Sequence, residues 1–126
     1  MPSPATAYAD PRDAVLTPRQ AEYRVFAEAT RRLSAASKAK DEGAPEAFAR
    51  LAEALHDNQR LWTALAMDAA SDENRLPDTL RAGIVSLAGF VRGHSARVLS
   101  GKAEAGPLID VNAALMRGLR GQTGGA

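Results

Sequence analysis

PEAFARLAEALHDNQRLWTALAMDAA, residues 45–70, is the stretch from which the fold can be read. Pro45 suits a helix start, because a residue in the first turn has no intrahelical use for its N–H. Phe48, Leu51, Leu55, Trp62, Leu65 and Ala69 then recur by steps of three, four and seven, which places them on one stripe of an α-helix. The step of seven skips one position, and Asn58 fills it. An amide inside an apolar stripe costs free energy unless its donors and acceptors are paired. The spacing therefore predicts a helix over 45–70 with a specified hydrogen bond at Asn58, made either across a bundle or to a ligand. Trp62 is the only tryptophan. On a helix stripe it reads as core, although tryptophan is also the residue type most enriched at binding hot spots.

The same period continues on both sides. Thr17-Pro18-Arg19-Gln20 has the form of a capping box with proline at the first helical position. Val25, Phe26, Ala29, Leu33 and Ala36 follow at helical spacing, predicting a helix over about 18–40 that stops at Gly43. Ser71-Asp72-Glu73-Asn74 is a turn composition. Pro77 opens a third helix, and Asp78 in its first turn favours the positive end of the dipole. Leu80, Ile84, Leu87, Val91 and Val98 form its stripe, with His94 in the gap and Gly101 as the C-terminal cap. Phe90 lies one step off that stripe, at its half-exposed edge. After Gly106-Pro107, a shorter fourth helix is predicted over about 107–119. Its face carries Leu108, Val111, Leu115 and Leu119 with Asn112 among them and Met116 alongside. Asn58 and Asn112, on separate helices, could share one polar seam.

Short connections favour antiparallel neighbours. The expected fold is all-α: a small antiparallel bundle of three long helices with a shorter fourth laid across it. Residues 1–16 read as a flexible arm, 17–120 as a single helical domain and 121–126 as a frayed tail. The composition agrees. The 126 residues suit one core, and 27 alanines with only 5% aromatic residues favour close-packed helices over a sheet.

Several function classes lose support. The chain has no cysteine, which removes disulfides, thiolate metal sites and a cysteine nucleophile. A net charge of +1 predicts no strong pull toward nucleic acid or acidic lipid. No stretch reaches the roughly 18 apolar residues that span a bilayer. The N-terminal residues have no apolar run of the signal-peptide kind. A soluble, cytoplasmic protein is therefore expected. General acid–base chemistry needs titratable groups that converge, and the two histidines, His56 and His94, are far apart in sequence. His56, between Glu53 and Arg60, reads as a surface residue, and His94 as a half-buried one with a backbone or amide partner. HExxH, EF-hand, GxGxxG, GxxxxGK(S/T) and GxSxG patterns are all absent. No enzyme activity, cofactor or metal is expected. The basic residues of the first helix, Arg19, Arg24, Arg31, Arg32, Lys38 and Lys40, are interrupted by Glu22 and Glu28 and lack an aromatic platform. They read as a solvated face, with an RNA contact as the sharper alternative.

Three segments together resemble the FlaF family of alphaproteobacterial flagellar proteins. Residues 55–63, LHDNQRLWT, are similar to the family's ALxxNxxLWT. Residues 72–82, DENRLPDTLRA, resemble DxxNxLPxxLRA, and 107–119, PLIDVNAALMRGL, resemble a closing LIxINRxxxxGL. Two departures stand out: Ala113 occupies a position where the family often has arginine, and the basic pair after the helix-two asparagine is reduced to Gln59-Arg60. The resemblance implies a protein required for flagellin accumulation and filament assembly. Such a protein would bind flagellin as an export chaperone and act with FlbT, the translational regulator of flagellin. The alternative is an RNA-binding post-transcriptional regulator of flagellin mRNA. A groove that covers an amphipathic flagellin helix would be read from apolar anchors at helical spacing. The residues expected to bind this partner are Asn58, Trp62, Leu65, Phe90, His94, Leu108, Asn112, Leu115 and Met116, between helix two, the end of helix three and helix four.

Overall fold

The structure, a computed structural model, describes residues 18–71 and 76–124. They form four helices, α1 (Pro18–Asp41), α2 (Ala47–Ala70), α3 (Asp78–Leu99) and α4 (Gly106–Gly124), with no strand among the described residues. The arm expected over 1–16, the Thr17 cap, the turn at 72–75 and residues 125–126 lie outside the described residues.

Two helix ends are set by glycine. Gly43 adopts φ 73°, and its N–H reaches Lys40 O at 3.0 Å while Ala44 N–H reaches Ala39 O at 2.9 Å. Gly101 repeats the arrangement with φ 77°, donating to Val98 O at 3.1 Å while Lys102 donates to Arg97 O at 2.8 Å. Both are Schellman closures, which satisfy the last carbonyls and need a left-handed residue that glycine supplies without strain. α2 begins two residues later than its proline predicts. Glu46 sits in the left-handed region at φ 61°, so the regular helix starts at Ala47 and Pro45 belongs to the turn.

The C-terminal end of α2 is closed from the next helix. Arg81 Nε donates to Ala69 O at 2.7 Å and Nη2 to Ser71 O at 2.9 Å. A guanidinium presents its donors in a fixed fork, so one side chain can satisfy two orphan carbonyls and fix the α2–α3 connection. Leu76, just before Pro77, is buried in the core.

α1 packs along α2 and, as extensively, along α4; α2 also packs along α3, while α3 and α4 touch over a smaller area. The neighbours run antiparallel, in a bundle with the fourth helix as a full member beside α1. α4 is the shortest helix at 19 residues, yet it runs past the expected end near 119 to Gly124. Leu80 Cδ1 lies 3.7 Å from the position a Cβ would take on Gly118, so α3 meets α4 over that glycine.

The core is continuous along the bundle. Leu33 of α1, Leu55 and Trp62 of α2, Ile84 and Val91 of α3, and Leu108 and Leu119 of α4 are all essentially inaccessible. Phe26 meets the Trp62 ring edge to face, with centroids 5.5 Å apart and planes at 77°. Such a pair contributes about 0.5–1.5 kcal/mol beyond the area it buries. Two expected core residues face out instead: Val25 and Phe48 are exposed, while their neighbours Phe26 and Ala47 are buried. Each lies one residue step off the axis of its stripe. Ser95, which no apolar count would include, is fully buried on α3.

Candidate functional site

Three helices meet at a buried polar cluster. Trp62 Nε1 donates to Asn112 Oδ1 at 2.7 Å, Asn112 Nδ2 donates to Asn58 Oδ1 at 2.7 Å, and the same Nδ2 donates to Thr30 Oγ1 at 3.0 Å. Thr30 in turn donates to Phe26 O one turn back, at 2.7 Å. The order of donors is forced. An indole N–H can only donate, so Asn112 must turn its oxygen to Trp62 and its amide hydrogens the other way. Asn58 must then present its oxygen. Asn58 and Asn112 are 0% exposed, and the expected seam between them exists. Asn58 Nδ2 is left without a partner, as is the Ser95 hydroxyl.

This arrangement changes what the sequence-predicted binding residues can do. Asn58, Trp62, Leu65, Leu108, Asn112 and Leu115 are buried among the helices, with Asn112 hydrogen-bonded to both Trp62 and Asn58. While the bundle is closed they are out of a partner's reach, so the expected groove between α2, the end of α3 and α4 is filled core. The physical reason is packing: α4 lies along α1 and turns Leu108, Asn112 and Leu115 into the core. The other three are accessible to different degrees. Phe90 is exposed and stacks on His94, with centroids 5.2 Å apart and planes at 21°. His94 is half-buried, and its Nε2 is 2.7 Å from Glu104 O. A carbonyl accepts only, so Nε2 carries the proton and ties α3 to the loop before α4. Met116 is half-buried against the core.

The open surface lies elsewhere. α1 and α2 leave a groove of about 660 Å³ between them, floored by Val25 and Ala29 from α1 and Ala54, Leu61 and Ala64 from α2. Its rim is charged: Arg24, Glu28 and Arg32 on one side, Asp57 and Arg60 on the other. A shallower depression on α2, past His56, Gln59, Thr63 and Met67, shares Arg60 and Ala64 with it. Residues 55–63 thus serve two faces. Asn58 and Trp62 point inward, while Asp57, Arg60 and Leu61 line the groove. The segment carries two superimposed patterns, and the outward one has a weak apolar signal because most of its floor is alanine.

Electrostatics along α1 follow from one carboxylate. Arg31 Nε and Nη2 donate to Glu28 at 3.0 and 2.7 Å, and Arg32 Nε donates to it at 3.2 Å. The Arg31 hydrogen bonds, with help from Arg32, hold the Glu28 carboxyl down at about 2 and push the Arg31 guanidinium up. The basic face considered for RNA is therefore partly neutralised from within. Among the described residues no group of three or more histidine, aspartate or glutamate side chains could hold a metal ion. No helix among them is long and apolar enough to cross a membrane.

A family model described as "Flagellar protein FlaF" matches residues 4–119. The chain belongs to the FlaF family. No curated protein and no solved structure matched it. In this FlaF-family chain the three resembling segments map onto structural joints. The first spans the buried cluster and the groove wall, the second contains Leu76 and the α2-capping Arg81, and the third carries Asn112 into the cluster. Ala113, where arginine is frequent in the family, is half-buried on α4 beside Asn112.

Proposed function

We propose that this chain is a non-enzymatic helper of flagellin synthesis and export. It holds flagellin as a secretion chaperone in the cytoplasm and acts with FlbT in controlling flagellin translation. The observation that carries the reading is the family match over residues 4–119, a flagellar family matched over nearly the whole chain. The physical picture is compatible with it. Flagellin's terminal helices are amphipathic and find their partners only in the filament, so before export their apolar faces need cover. A small helical bundle with an apolar groove can supply that cover by accepting one helix.

The RNA-binding alternative draws on the basic residues of α1, and Glu28 sits among them, paired to Arg31 and Arg32. Binding through phosphates weakens steeply as salt rises, whereas seating of an apolar helix does not.

The test is capture of flagellin from lysate by the tagged full-length chain at low and high salt, together with flagellin levels in a strain lacking the gene. Specific recovery that persists at high salt, with reduced flagellin accumulation in the deletion strain, is the expected result. Recovery of flagellin mRNA without flagellin would overturn the chaperone reading.

A further inference from the structure

We propose that the α1–α2 groove is the seat of the partner segment, and that its occupant is an amphipathic helix of about three turns with bulky apolar anchors and carboxylates along its edges. The inference rests on the chaperone reading and adds where the segment is held and what chemistry it must carry.

The dimensions come first. The groove is lined from Ala21 to Arg32 along α1 and from Ala54 to Ala64 along α2. At 1.5 Å per residue each wall is about 15–17 Å long, the length of three helical turns. The floor is made mostly of alanine, with Val25 and Leu61 as the larger members. Small side chains let a third helix axis come close and leave volume for the incomer's own anchors. Leucine, isoleucine, phenylalanine or methionine at i, i+3, i+7 and i+10 would fill it. Val25 is 47% exposed in the free chain, which a fully satisfied core position would not be.

Charge decides the edges. Arg24, Arg32 and Arg60 line the rim, and Arg31 stands behind Arg32 through their shared partner Glu28. Among the groove-lining residues three cations, Arg24, Arg32 and Arg60, stand against two carboxylates, Glu28 and Asp57, and Glu28 is also bonded by Arg31 from outside the groove. Glu28 is already engaged by two guanidiniums, so the field over the groove is positive. An incoming helix with acidic edges is favoured and one with basic edges is repelled. Nucleic acid fits less well, because the apolar floor has no aromatic ring on which a base could stack.

The wall is also held rigid from behind. Asn58 and Trp62, on the inward side of α2 at the same level, are bonded to Asn112 of α4. A groove whose walls do not rearrange loses less free energy when it is filled. Beyond Ala64 the surface continues over Met67, 71% exposed, whose flexible thioether adapts to varied side chains.

The test uses the full chain, isotopically labelled, and two synthetic helical peptides. Both carry leucine at i, i+3, i+7 and i+10; one has glutamate along its edges and the other lysine. The glutamate peptide should shift amide resonances along the groove walls, and the lysine peptide should bind at least tenfold more weakly. Val25→Glu and Ala64→Glu, both at exposed positions, should weaken the glutamate peptide and flagellin at least tenfold with helicity and melting unchanged. Phe90→Ser, at an exposed position of α3 outside the groove lining, should leave both intact. Flagellin held as well by Val25→Glu and Ala64→Glu as by the unaltered chain would overturn the groove while leaving the chaperone reading standing. Glutamate-peptide binding in the groove with no hold on flagellin would support the groove and overturn that reading. Groove resonances that shift with concentration of the chain alone would assign the surface to a second copy and overturn a foreign partner.

Discussion

Asn58 and Asn112 look alike in sequence, each an amide in an apolar stripe, yet their replacement by leucine should differ sharply. Leucine matches asparagine in side-chain branching, so the comparison isolates polarity from shape. Asn112→Leu removes the acceptor of Trp62 Nε1 and the donor to Asn58 Oδ1. Both orphaned groups lie on fully buried residues, where each unpaired group costs about 1–3 kcal/mol, so the variant should lose about 2–6 kcal/mol. That is a large part of the roughly 5–15 kcal/mol a domain of this size possesses. Asn58→Leu removes the acceptor of one Asn112 hydrogen, but Asn112 Nδ2 keeps Thr30, and the already unpaired Asn58 Nδ2 disappears with the substitution. The two effects oppose each other, and the net change should stay within about 1 kcal/mol. The double variant orphans only Trp62 Nε1, so it should be more stable than Asn112→Leu alone. Urea denaturation of the four proteins followed by far-UV circular dichroism measures all three differences, with the coupling read from the cycle. Equal losses from the two single variants, or a double variant at the sum of both, would refute the directed chain of donors described above.

Three further outcomes follow from other contacts. Arg81→Met should cost about 1–3 kcal/mol, read by denaturation, because two carbonyls at the end of α2 lose their donor; Arg81→Lys should recover only part of it, since a single ammonium lacks the fork. Gly101→Ala should cost about 1–2 kcal/mol from backbone strain at φ 77° alone, as nothing lies within 4 Å of the new Cβ; a larger loss in thermal melting would mean that the helix end had rearranged. Glu28, held at about 2 by Arg31 and Arg32, supplies stability that is present above its ordinary value of 4.5 and fades as pH falls from there toward 2. Because the pair is exposed, the effect should be small and removed by salt, and Glu28→Gln should flatten that part of the pH profile measured by thermal melting.

The helices were legible because their core residues repeat with the helical period: Leu33, Leu51, Leu55, Trp62, Leu65, Ile84, Val91, Val98 and Leu108 all lie where counting places them. Counting fails one residue off the axis. Val25 and Phe48 are apolar and near the stripe, but Phe26 and Ala47 point closer to its centre and take the buried places. It fails again for Ser95, which keeps phase with Val91 and Val98 but is not apolar. The polar seam was legible for a related reason: an amide in an apolar stripe requires a partner, and two helices each offered one. What one stripe could not reveal was that the partner lies inside the chain, because that depends on how α4 packs against the other helices. The groove is hidden more deeply. Its floor mixes Ala29, Ala54 and Ala64 with Val25 and Leu61, drawn from two helices, so it belongs to the pair of helices jointly and to neither stripe alone. The fold and the proposed docking groove therefore divide the same short segment. Asn58 and Trp62 fix α2 from within, and by fixing it they set the positions of Asp57, Arg60 and Leu61 on the outside. A substitution at either inward residue that left the chain folded would still move the groove wall. Loss of binding in such a variant is thus no evidence of contact unless an outward substitution such as Ala64→Glu produces the same loss.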